Sequence, residues 1–97
     1  MAVIEQRILD ELYRLSEEIS GKNAEICKYA MDLLDSANHT SSHEDQSEAL
    51  GLACEQLRAM KDLPEEWAAR VPKLARSLQE YADALANLAQ AYRNCRM

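Results

Sequence analysis

Phenylalanine is absent from this chain, and glycine and proline occur only twice each. A sheet protein of this length needs turn residues every few positions, with aromatic and β-branched residues between them. That scarcity excludes a sandwich or a barrel. With aromatics at 5% of 97 residues, the core must be built from Leu, Ile, Ala and Met, the composition of packed helices. No run of 18 apolar residues occurs, so no membrane span is expected. The N-terminus lacks a basic stretch followed by an apolar one, which argues against a secretory signal peptide. The length suits one small domain, or half of a larger assembly.

Clustered basic charge is missing too. The net charge is −6, and phosphate contacts need grouped Lys and Arg, so nucleic acid is not an expected partner. The charge is uneven along the chain. Residues 1–42 carry eight acids and four bases, residues 43–66 seven acids and two bases, and residues 67–97 two acids and five bases. The basic C-terminal stretch is expected to fold against acidic segments of its own chain.

The residue sets that carry chemistry are thin. Cys27, Cys54 and Cys95 are too far apart for a CxxC motif, and an odd count suits a reducing compartment or an unpaired thiol. They read as small buried hydrophobes. His39 and His43 stand four apart beside Glu44 and Asp45, but His39 falls in an expected loop and no third ligand is fixed. No metal site is expected. Glu17-Glu18 and Glu65-Glu66 read as solvated helix surface. With no Gly-rich phosphate loop and no nucleophile beside a base, no catalytic residue, cofactor or enzyme activity is expected.

What the chain does have is heptads. Trp67, Val71, Leu74, Leu78, Tyr81, Leu85, Leu88, Tyr92 and Cys95 recur at alternating spacings of four and three, which predicts one helix over about 64–95 with an unbroken apolar seam. Ala68, Ala75, Ala82 and Ala89 flank one side of it, and Ala84 and Ala91 the other. The flanks are shallow, so another helix can come close. Upstream, Leu12, Ile19, Ile26 and Leu33 repeat every seven residues, with Ile8, Leu15 and Tyr29 between them. They predict one helix over about 2–37, bent or frayed near Gly21 and Lys22 but not lost. Residues 38–42 form a polar connection. Ser41 and Glu44 make a capping box for a helix over about 43–61, whose apolar positions are Leu50, Ala53, Leu57 and Met60.

Asp62-Leu63-Pro64-Glu65 permits either a kink or a corner. Because the apolar phase continues through it, nearly collinear segments are expected. The fold is then a single all-α domain, an elongated antiparallel helical hairpin with a kinked second arm. A three-helix bundle is the alternative.

The stretch from Val71-Pro72-Lys73-Leu74 through Tyr81 to Tyr92 resembles the second helix of the WXG-type (ESAT-like) proteins of type VII secretion. The resemblance covers about a third of the chain at motif level, and the length and two-arm layout agree with it. It implies a helical hairpin that pairs with another helical protein. Two features depart from that family. The connection reads Asn38-His39-Thr40-Ser41-Ser42 in place of a Trp-x-Gly turn, and Tyr92 is followed four positions later by Arg96 where the family's export signal has an acid. The resemblance is therefore to the helical partners of LXG-type toxins, which lack that turn.

The functional expectation is a non-catalytic adaptor or chaperone, cytoplasmic or exported with its partner. It would bind the helical N-terminal region of a type VII effector through Ala82, Ala84, Leu85, Leu88, Ala89, Ala91 and Tyr92. The alternative is a coiled-coil regulator or scaffold formed by two copies of the chain.

Overall fold

A computed structural model describes residues 6–95 as four helices, with no strand among the described residues: α1 (Gln6–Glu18), α2 (Gly21–Asn38), α3 (His43–Arg58) and α4 (Glu65–Cys95). The start of the helix expected from residue 2, and Arg96, lie outside the described residues.

The helix expected over 2–37 is two helices. Ser20 is extended (φ −143°, ψ 175°) and Gly21 is left-handed at φ +64°, a conformation that costs any residue with a Cβ. The chain doubles back there, and the Cys27 thiol donates to the Leu12 carbonyl at 3.3 Å. Folding back buries Ile8, Leu12 and Leu15 completely, where a straight arm would carry them away from the rest of the core.

The break also turns α2. Its buried positions are Cys27, Ala30, Leu34 and Ala37, about one residue round from the expected Ile26, Tyr29 and Leu33. Three of those four are small, so α3 can pack close to the α2 backbone. Ile26 and Leu33 are left half-buried and Tyr29 exposed.

The cap of α3 falls one residue later than expected. Ser42, not Ser41, accepts the Asp45 N–H at 3.3 Å, and the Gln46 amide donates to the Thr40 carbonyl at 2.8 Å. Leu50, Ala53, Leu57 and Met60 are buried as the heptads require. The helix ends at Arg58, and the Ala59 and Met60 N–H groups close it onto the carbonyls of Gln56 and Leu57.

The expected collinear continuation into α4 is not found. Asp62 is left-handed (φ 56°), and the Pro64 carbonyl accepts the Ala68 N–H at 2.8 Å, so the chain turns at Asp62 and α4 opens from Pro64. A residue before proline disfavours helix, which stops α3 short of Pro64. The Asn23 side chain holds the corner, donating to the Lys61 carbonyl at 2.7 Å and accepting the Lys61 N–H at 3.3 Å. Beyond it, α3 and α4 run side by side and antiparallel. Ser47 Oγ donates to the Ala82 carbonyl at 2.7 Å, and the Cys54 thiol to the Ala75 carbonyl at 3.2 Å. Folding back lets the two in-phase seams bury each other.

Helix α1 also reaches α4. Trp67 Nε1 donates to Glu18 at 2.6 Å. Arg70 pairs with Glu66 at 3.3 Å and Glu11 at 3.8 Å, and lies 5.1 Å from the centre of the Trp67 ring. Pro72 sits inside α4 on its exposed side, and the helix continues through it. The principal extents are 50 × 20 × 20 Å. The long one matches the 31 residues of α4, roughly 46 Å at 1.5 Å per residue.

Candidate functional site

The seven residues expected to meet a partner divide along α4. Ala82 is 3% exposed and Leu85 is 9% exposed. The Ser47 hydroxyl against the Ala82 carbonyl shows what covers them: α3 of the same chain. From there α4 outruns its neighbour. Helix α3 begins at His43, four residues before Ser47, so the last turns of α4 extend past its end. Leu88 is 52% exposed and Tyr92 66% exposed, Ala84 and Ala91 are exposed, and Ala89 is half-buried. Ala84, Leu88, Ala91 and Cys95 follow one another at spacings of four, three and four, an exposed stripe along one helix face.

The start of α3 borders this end. Ser41, His43 and Glu44 face Ala89, Tyr92 and Arg93 across a shallow concavity of about 460 Å³. Glu44 and Arg93 approach to 3.8 Å across it. Both side chains are well exposed, so the pair adds little stability. Sequence reasoning took residues 38–42 as a connection and missed that their end, with the first turn of α3, forms the opposite wall. The acidic 43–66 segment and the basic C-terminal stretch were the available signal.

The other candidate chemistry is placed apart from this end or from itself. His39 Nδ1 lies 2.8 Å from the Asp35 carbonyl, and His43 Nδ1 lies 3.3 Å from Gln46 Oε1. Among the described residues no three His, Cys, Asp or Glu side chains converge to hold a metal ion. Cys27 and Cys54 are buried and Cys95 is exposed. Burial pushes the Cys27 thiol up to about 11. Burial also raises Cys54, partly offset by the Arg58 charge. Both buried thiols donate to backbone carbonyls, which favours the neutral form, so neither is an activated nucleophile.

No protein-family model, curated protein or solved structure matches this chain.

Proposed function

We propose that this chain is a non-catalytic helical adaptor, folded as an up-and-down bundle and not as a two-armed hairpin, that docks a helix of a larger protein on the far end of α4. The observation that carries the reading is the overhang. The apolar seam of α4 continues beyond α3, leaving Leu88 and Tyr92 largely exposed one turn apart. Ala84, Ala89 and Ala91 around them let a second backbone approach closely, in the manner of an amphipathic helix seated on an apolar strip.

The partner class follows from the resemblance of the α4 sequence to WXG-type proteins: the helical N-terminal region of a type VII secreted effector, shielded before export. Docking uses Ala84, Leu88, Ala89, Ala91 and Tyr92. Ala82 and Leu85 contribute from beneath, as part of the chain's own core. Among the described residues no helix is long and apolar enough to cross a membrane.

Co-expression with the protein encoded by the adjacent gene tests the proposal. The expected result is co-elution of the two chains with wild type and its loss with Leu88→Arg, while the helical circular dichroism signal is unchanged. Failure of the wild-type pair to form, or retention of the complex by Leu88→Arg, would overturn it. A pure homodimer that Leu88→Arg dissociates would favour the two-copy scaffold instead.

A further inference from the structure

The junction between α1 and α2 is written for a helix that does not break there. Helix α1 ends with Glu17 and Glu18, negative charges at the negative end of the helix dipole, and has no basic residue in its last turn. Helix α2 opens with Lys22, a positive charge at the positive end, and has no acidic residue in its first turn. Ser20 precedes α2 without accepting a side-chain cap bond. All of this charge is reversed relative to two separate helices.

In a continuous helix the same residues fit. Glu18 and Lys22 become an i,i+4 pair in the favourable order, acid first. The backbone groups orphaned on either side of Ile19 and Ser20 regain helical partners. The apolar positions agree as well. Ile8, Leu12, Leu15 and Ile19 run in one phase with Ile26, Tyr29 and Leu33. The latter three are the residues that the break leaves half-buried or exposed on α2.

From this we infer that a second copy of the chain is an occupant of the α1 docking surface: two chains exchange α1, and in each the α1–α2 junction straightens into one helix. The contacts of Ile8, Leu12 and Leu15 are re-formed with the second copy, as is the pairing of α1 with Trp67 and Arg70. The exchange therefore gives up little burial. It removes the mismatched helix ends in both chains. It also aligns Ile26, Tyr29 and Leu33 with the exchanged seam. A connection of only Ile19 and Ser20 between two helices is the kind of short hinge at which domain swapping occurs. The surface lies at the α1 side of the bundle and does not depend on the docking end of α4.

Light scattering over a range of protein concentrations, with size exclusion, reads the monomer–dimer constant. Gly21→Ala raises it by roughly a hundredfold, because each of two hinges trades a left-handed residue for a helical one. Space allows the substitution, since nothing lies within 4 Å of the added Cβ. Lys22→Glu changes the constant the other way, by improving the start of α2 and removing the Glu18 pair. To identify exchange, Glu11→Cys and Arg70→Cys are joined with a short thiol crosslinker in a Cys95→Ser background. The expected product of the dimer fraction is a covalent dimer. Crosslinks confined to single chains in that fraction would overturn the inference, and so would a constant that neither Gly21→Ala nor Lys22→Glu moves.

Discussion

Replacing Ala82 by Arg asks whether the alanine flank is the chain's own core or an open face. Ala82 is 3% exposed, and a side chain of α3 already touches its backbone, with Ser47 Oγ 2.7 Å from the carbonyl. A guanidinium placed there has two choices. It can stay in the seam unpaired, at several kcal/mol for a buried charge. Or it can force α3 from α4 and return Leu50, Leu78 and Leu85 to water, at about 1.5–3 kcal/mol each. Either route costs more than about 4 kcal/mol, against a total stability of about 5–15 kcal/mol for a domain of this kind. At about 4–8 °C per kcal/mol, the melting temperature falls by at least about 16 °C. Ala91→Arg, one helix face away and exposed, changes stability by no more than about 0.5 kcal/mol. Thermal denaturation followed by circular dichroism reads both variants under one condition. An Ala82→Arg protein melting within a few degrees of wild type would refute the packing of α3 on α4 described here.

Other perturbations follow from the same geometry. Trp67→Phe keeps the buried ring but loses the hydrogen bond to Glu18, and lowers stability by about 1.5–3 kcal/mol in a urea titration, reduced by the partial exposure of the pair. A thiol reagent at pH 8 modifies Cys95 in the native protein, and Cys27 and Cys54 only after unfolding. The raised pKa of Cys27 has a linked effect. Its contribution is fully present below the unfolded value of 9.0 and is lost as pH rises through about 11, since over that window the unfolded chain gives up a proton that the native one keeps. Stability therefore declines across that window, by up to about 1.4 kcal/mol per pH unit for this group, and denaturant titrations with Cys27→Ala as the control measure it.

The buried seam was legible where a periodic pattern met a periodic partner. Leu50, Ala53 and Leu57 of α3, and Trp67, Val71, Leu74 and Leu78 of α4, are core residues because heptad spacing puts them on one face of each helix. The same pattern misled at the chain reversals. Phase is preserved across Ser20–Gly21 and across Asp62–Pro64, and phase alone does not distinguish a straight helix from one that folds back on itself. What decides is backbone conformation at Gly21 and Asp62, together with a side chain, Asn23, reaching Lys61 from far along the sequence. The one-residue turn of α2, which buries Cys27 in place of Ile26, follows from that break. The proposed docking end was half legible. Periodicity placed Leu88 and Tyr92 on the seam, but their exposure depends on where α3 begins relative to α4, a length set by the corner at Asp62.

The central claim is that a partner helix lies on the last turns of α4. Hydrogen exchange of the protein, alone and in complex with the adjacent gene's product, tests it most directly. Alone, the amides from about residue 86 onward exchange faster than those of 71–82, which lie beneath α3. In the complex the account predicts slowed exchange concentrated in residues 86–95 and at the start of α3 around His43 and Glu44. Protection confined to α2, or no change at the end of α4, would contradict it.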